Sequence, residues 1–252
     1  MGSYDIYLTK RHPAWMKRIF NRYNSHILQF LFSFFPRHKP LRILEVGPGK
    51  GYFYDALQSA SRHINYSAVD RNVAMLEHLK IKTTYQTSLP KLPPFRTKFD
   101  IIYAAYVIEH LHNGDELWEF IGNCRKNIAK GGIIVFLAPN AQTQKMEFWN
   151  ADYSHMYATT KRNVAMAFSD HGIRNLNIYP VTDAGLYLTS TSTLWGPIKT
   201  LSRIALFWYN YRWANTLAGL FVKTRDYDME NWFYRLYCFL QAESLLFIAR
   251  PE

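Results

Sequence analysis

Cysteine is scarce in this chain. Its 252 residues include two, Cys124 and Cys238, at no metal-binding spacing and in no framework of bridges, so neither a zinc ribbon nor a disulfide scaffold holds the fold. A reducing cytoplasm suits such a chain best. Long apolar runs are also missing: none approaches the roughly 18 uncharged residues that a spanning helix needs. Lys10, Arg11, Lys17 and Arg18 interrupt any signal-peptide core, and an acylation signal fails because Ile6 stands where Ser or Thr is required. Acidic residues number 19 against 30 basic ones. That surplus of +11 admits an acidic partner, an anionic membrane surface or solubility alone. Repeats, low-complexity segments and linker compositions are absent.

Apolar residues, in contrast, make up 48% of the chain and aromatics 17%. Disorder is thereby excluded, and the length suffices for one large domain or a domain carrying an insertion. Trp15, Ile19, Phe20, Tyr23, Ile27, Leu31 and Phe34 recur near helical spacing and predict one or two helices over 13–35, stopped by "PRHKP". From there strand and helix alternate. "RILEV", "INYSAVD", "KFDIIYAAY", "GGIIVFLAPN" and "RNLNIYPV" read as strands, with "GYFYDALQSA", "NVAMLEHLK", "DELWEFIGNCRKNIAK" and "TKRNVAMAFSDHGI" as helices. Such alternation predicts an α/β fold, a largely parallel sheet covered on both faces. Residues 184–240 break the pattern with dense aromatics and arginines before a last strand, "ESLLFIAR".

The stretch "ILEVGPGKGYF" at 43–53 concentrates the chemistry. Three glycines at alternate positions cost chain entropy, so something approaches the backbone closely there. A dinucleotide fingerprint is excluded because its third glycine would be Tyr52, and no phosphate loop of the G-x-x-x-x-G-K-[ST] type can be drawn. What remains is an acid, Glu45, at a strand end, then Gly47 and Gly49 in a turn opening a helix, suited to a ligand's carboxylate. The second strand ends in Asp70, 23 residues after Gly47, where an acid can accept both hydroxyl hydrogens of a ribose.

With "LEVGPGKG", "VD", "FDIIYAAYVIEHL" and "KGGIIVFLAPN" in order, residues 41 to about 179 resemble the class I S-adenosylmethionine-dependent methyltransferases. That resemblance implies a doubly wound, Rossmann-like, mainly parallel seven-stranded sheet with helices on both faces. It implies S-adenosyl-L-methionine as cofactor, with Gly47 and Gly49 under the methionine moiety and Glu45 supporting that site. Asp70 would hold the ribose and Arg71 lie beside the adenine edge. Ser88 and Leu89 would flank the adenine ring, and Ala105 and Tyr106 would face the methionine end. The expected organisation is an N-terminal helical cap (1–40), the cofactor-binding core (41–183), an aromatic and basic helical insertion (184–240) and the final strand (241–252).

Methyl transfer from a sulfonium is an in-line displacement governed by orientation, and a base helps when the acceptor is a hydroxyl. Candidate catalytic groups are His155 as general base, Asp152 as its orienter, and His110 beside the donor cleft. Glu109, His110 and His155 could also make a facial ligand set, similar to that of the small-RNA 3′-end methyltransferases. The further glutamate of that motif is Tyr106 here, which weakens a Mg²⁺-type site, so no metal is expected. The acceptor is read as a small molecule, a glycan or a lipid-linked sugar. Lys199, Arg203 and Arg212 could meet a phosphate or an anionic head group at a membrane surface. Nucleic acid is the alternative acceptor, disfavoured because no RNA-reading module is visible. A non-catalytic cofactor-binding protein is the alternative of another class.

Overall fold

The computed structural model describes residues 14–181, 195–210 and 244–252. Two compact units divide the chain, Met1–Ile178 with Leu245–Glu252, and Tyr179–Ser244. Most of the predicted insertion, including Tyr211, Arg212 and Trp213, lies outside the described residues.

The sheet has seven strands: β1 (Leu41–Val46), β2 (Ile64–Asp70), β3 (Thr84–Gln86), β4 (Phe99–Ala105), β5 (Ile128–Pro139), β6 (Leu176–Val181) and β7 (Ser244–Ala249). Their order is β3-β2-β1-β4-β5-β7-β6. β1 pairs in parallel with both β2 and β4, β2 with β3, and β4 with β5. This is the expected α/β, Rossmann-like architecture. The chain runs outward from β1 through β2 to β3, then crosses back to β4 on the other flank of β1. Parallel strands end on one edge, so β1 and β4 open a crevice at their carboxyl ends, where ligands of such sheets bind.

The unit that carries this crevice contains helices α1 (Ala14–Phe32), α2 (Tyr52–Gln58), α3 (Val73–His78), α4 (Gly114–Asn127), α5 (Ala141–Gln144), α6 (Glu147–Ala151) and α7 (Lys161–Asp170). Helix α8 (Trp195–Asn210) belongs to the second unit. Alternation along each strand sends successive side chains to opposite faces. One set, with Leu44, Val46, Ile102 and Phe136, packs on Leu117, Phe120 and Ile121 of α4 and on Val164 and Phe168 of α7. The other set includes Tyr103, whose ring stacks on Phe53 of α2 at 4.1 Å between centroids. Helix α1 covers α2 in turn, with Phe20 stacked on Tyr52 at 5.0 Å. Burial of Phe53 and Tyr103 contributes about 1.5–3 kcal/mol each relative to exposure.

The base of β4 is pinned by charge. Asp100 is buried, yet it accepts from Lys39 Nζ at 2.6 Å and from the Arg42 backbone N–H at 2.9 Å. Burial alone would raise its pKa, but those two donors and their charges hold it below the ordinary carboxylate value.

Two boundaries depart from the sequence reading. Strand β3, three residues long, is not among the strands read from the sequence; it exists because β2 offers it an edge, pairing Ala68 with Thr84 and Asp70 with Gln86. Strand β5 begins at Ile128, before the glycine pair rather than at it. Phe99 pairs with Ile128 but Ile101 with Ile133, so Gly131 and Gly132 sit in a bulge inside the strand. Gly131 has φ of 72°, and a side-chain carbon placed there would meet nothing within 4 Å. The same carbon at Gly132 would stand 2.9 Å from the Asp100 carbonyl oxygen.

These glycines make a test. Gly131→Ala meets only the left-handed backbone penalty, about 1–2 kcal/mol. Gly132→Ala pushes a methyl into two backbone carbonyls and is expected to cost more than Gly131→Ala in denaturant unfolding. The reverse ranking would mean that the bulge relaxes freely.

Candidate active site

Apolar β1 delivers its last residues, Glu45 and Val46, to the floor of the crevice, and the chain must then turn at once to enter α2. Gly47 makes that turn with φ of 69°, its N–H donating to the Val69 carbonyl at 2.8 Å. A side-chain carbon at Gly47 would stand 2.7 Å from Val107 Cγ2, and the β-branched valine has little room to rotate away. The turn is therefore glycine by conformation and by contact.

Glu45 is buried beneath this turn and accepts a hydrogen bond from the Tyr66 hydroxyl. Burial dominates its titration, and the Tyr66 bond offsets it only partly, so its pKa is pushed up to about 8. Tyr103 lies opposite Glu45 in the β4 register, and burial followed by the nearby Glu45 charge raises its phenol.

Asp70 closes β2. Its Oδ1 accepts the Asn72 backbone N–H at 2.8 Å, its carbonyl accepts from Thr87 N–H at 3.1 Å, and burial raises its pKa against the pull of Asn72 and Arg71. Arg71 follows, exposed. Ser88 and Leu89 lie just past β3, the serine exposed and the leucine packed against the core. Ala105 ends β4, and Tyr106 takes φ of 56°, its N–H donating to the Leu137 carbonyl at 2.7 Å. Every cofactor-side residue named from the sequence thus falls at the carboxyl end of β1, β2, β3 or β4.

Beyond Tyr106 the chain makes a single 3-10 turn, Ile108–His110. Here a backbone clamp forms: the Glu109 carbonyl accepts from both the Met156 and Tyr157 N–H groups, at 2.9 and 3.0 Å. It draws the segment after β5 onto the turn after β4 and sets His155 against His110, ring centroids 5.1 Å apart. Segment 140–160 is held at its other end by Ala141 N–H on the Thr159 carbonyl at 2.9 Å and by the Thr159 hydroxyl on Pro139.

Hydrogen bonds assign the proton on each imidazole. His155 Nδ1 lies 2.6 Å from the Phe148 carbonyl, which can only accept, so Nδ1 carries hydrogen, and in the neutral ring Nε2 bears the lone pair. His110 Nδ1 lies 3.2 Å from the Ser154 carbonyl and 3.0 Å from Ser154 Oγ. That hydroxyl spends its own hydrogen on Asp152 Oδ1 at 2.6 Å, so toward His110 it too accepts. Asp152 therefore orients His110 through Ser154; toward His155, which the sequence reading pairs with it, its carbonyl accepts the backbone N–H at 3.1 Å, while Phe148 holds the ring. Ser154 escapes that reading, although its spacing two residues after an aspartate is the signal of such a local bond. Burial first, and more weakly the neighbouring His155 ring and Arg71, depress the His110 pKa against the Ser154 bond, so His110 lies within electrostatic reach of the residue beside Asp70. Asp152 stays below the ordinary value: burial would raise it, but both Ser154 donors and the two imidazoles prevail.

Met146, Trp149, Tyr153 and Met156 stand exposed on this same segment, Tyr153 at 82%. Glu109, His110 and His155 each bring a ligand-capable atom within 4.8 Å of the others. Among the described residues, no helix is long and apolar enough to cross a membrane.

A family model for the methyltransferase domain matches residues 15–178. No curated protein matches. Among solved structures, a SAM-dependent methyltransferase from Archaeoglobus fulgidus superposes with a TM-score of 0.55 at 14% identity, over 92% of this chain and 94% of that one. The complex between the Haloferax volcanii Trm112 methyltransferase activator and a methyltransferase gives 0.61 at 11%, over 100% and 99%. The plantazolicin methyltransferase BpumL in complex with SAH gives 0.56 at 12%, over 95% and 86%. At these identities the likeness is one of fold.

Glu45 carries a prediction. Folded, it keeps its proton to about pH 8; unfolded, it releases it near 4.5. The folded chain binds more protons between those values, so this contribution to stability is complete below the lower one and is lost as pH rises to the upper. The slope is up to about 1.4 kcal/mol per pH unit. Denaturant unfolding across that window is expected to show the decline in the wild type and a flatter profile in Glu45→Gln. Parallel profiles would mean that Glu45 is ionised in the fold.

Proposed function

The chain belongs to the methyltransferase-domain family as a class I S-adenosylmethionine-dependent methyltransferase, and on that premise we propose that it moves the methyl of S-adenosyl-L-methionine by in-line displacement to a hydroxyl, or amine, of a small-molecule, sugar or lipid-linked acceptor. One observation carries the acceptor side. The two histidines meet past the end of β4, His110 within electrostatic reach of Arg71, with Nδ1 of each ring on a backbone carbonyl and exposed aromatic and methionine side chains on the segment that carries His155.

In this reading Gly47 and Gly49 let the cofactor's methionine end lie against bare backbone, above Glu45. Asp70, fixed by Asn72, accepts the two ribose hydroxyls, with Arg71 beside the adenine edge. Ser88 and Leu89 flank the adenine ring. Ala105 and Tyr106 border the sulfonium, from which the methyl leaves toward the His110–His155 pair. Acceptor and methyl are brought into line, which supplies most of the rate, and the acceptor's proton is released at the pair. Trp149 and Tyr153 offer ring faces, which suit a sugar or an apolar acceptor better than a phosphate backbone.

Helix α8 supports a lipid-linked acceptor. Leu201, Ile204 and Phe207 are exposed on it at helical spacing with Arg203 among them, the composition of a helix that lies in a membrane interface. The chain is expected to sediment with phosphatidylglycerol vesicles and to lose this on Arg203→Glu; equal pelleting of both would remove the membrane contact.

Two substitutions separate donor from acceptor. Asp70→Ala is expected to weaken S-adenosylhomocysteine binding more than about tenfold, since a hydrogen bond to a charged group contributes roughly 1.5–3 kcal/mol. Calorimetric titration showing unchanged affinity would mean that another residue holds the ribose. His155→Ala is expected to lower turnover while sparing that affinity, and a full-rate mutant would leave orientation as the sole source of the rate.

A further inference from the structure

We propose that Glu109, His110 and His155 bind a divalent first-row transition ion, leaving coordination positions open to the methyl acceptor. The role given to the ion rests on the methyl-transfer reading above; the site itself rests on geometry alone.

Three features of the cluster point to a cation. The first is convergence. One donor atom from each residue lies within 4.8 Å of the other two, although the donors come from the turn after β4 and the loop after α6. The backbone clamp on the Glu109 carbonyl builds this meeting point irrespective of any ion.

The second is the pair of tautomers. Both imidazoles turn the hydrogen-bearing Nδ1 outward onto a backbone carbonyl, Phe148 for His155 and Ser154 for His110. Each is left with an Nε2 lone pair to offer. Metal-bound histidines almost always carry such a bond on the other nitrogen, because it fixes the ring and raises its basicity. A general base needs one imidazole so prepared. Here two stand side by side, with the Asp152–Ser154 relay behind one of them.

The third is the carboxylate. Glu109 is wholly buried, and it brings an oxygen donor to the same point as the two imidazoles, the mixed nitrogen and oxygen set that catalytic metal sites use.

Donor chemistry selects the ion. Magnesium and calcium want oxygen ligands and fit poorly against two imidazoles. Imidazole suits zinc, iron, nickel and copper, and three protein donors with open positions form a complete catalytic set for such ions. This replaces the sequence-based expectation of no metal.

At such an ion an acceptor hydroxyl gives up its proton to water near neutral pH. Its oxygen then forms the bond to the sulfonium methyl as the methyl–sulfur bond breaks, the electron pair staying on sulfur. The products are a methyl ether, a neutral thioether and the released proton. His110 and His155 then act on that proton through the ion.

The test uses the untagged full chain, stripped with chelator and titrated with Co²⁺ while its visible d–d absorption is followed. S-Adenosylhomocysteine affinity is measured on the same samples. One saturable equivalent is expected, displaced by Zn²⁺. Its affinity should fall more than about tenfold in each of Glu109→Gln, His110→Ala and His155→Ala, since even losing a group that merely orients a ligand costs about 10–100-fold. Retained nucleoside binding reports that each variant is folded. Absence of a saturable band, or Co²⁺ affinity unchanged in all three variants, overturns the site. If Co²⁺ binds and the nucleoside does not, the methyl-transfer reading falls and the ion site stands; the opposite result removes the ion site alone.

Discussion

Parallel pairing of β1 with a neighbour on each side is the constraint from which the rest follows. Because β2 and β4 both run alongside β1 in the same direction, their carboxyl ends share one edge. The connections leaving β1 and β4 diverge there, and the gap between them cannot be filled by the chain itself. Glu45, Asp70 and Ala105 come within a residue of that edge because they close, or nearly close, three adjacent strands. Their separation in sequence has no bearing on it; strand register brings them to one level. The glycine turn completes the arrangement, since Val107, arriving from β4, leaves no room for a side-chain carbon at Gly47.

A second organising contact is the clamp at the Glu109 carbonyl. Hydrogen bonds from Met156 and Tyr157 to one oxygen commit the segment after β5 to lie against the turn after β4. Two long-range links thus bring His155 to His110, the clamp and the His110–Ser154 bonds. The local Asp152–Ser154 and Phe148–His155 bonds then fix ring orientation. Buried charge is handled differently at the two ends of the sheet. Asp100 is held ionised by Lys39 and Arg42 at the amino edge, whereas Glu45 at the carboxyl edge is held protonated toward neutral pH. The base of the sheet is locked, and the site end keeps a group whose charge responds to what approaches it.

Much of this was legible in the sequence where a signal is local. Continuous apolar runs announced β1, β4 and β5, and glycine spacing with a distant aspartate announced the cofactor crevice. Strand β3 was not legible, because three residues carry no periodicity and their conformation comes from the exposed edge of β2. Nor was the early start of β5. A glycine pair after a helix reads as a stop signal, and only pairing with Phe99 shows that the strand has already begun and bulges there. The short helices α5 and α6 escaped for the same reason as β3.

The sequence by itself determined the alternation of elements, the class of fold, the donor crevice and the residue types on the acceptor side, because each depends on neighbours a few positions away. Only the tertiary structure decided that Ser154 links Asp152 to His110, which nitrogen of each ring a carbonyl holds, and that Glu109 converges with both imidazoles. Those facts depend on hydrogen bonds between segments far apart in the chain, His110 with Ser154 and Glu109 with Met156. No pattern within either segment encodes the distance at which the other will stop.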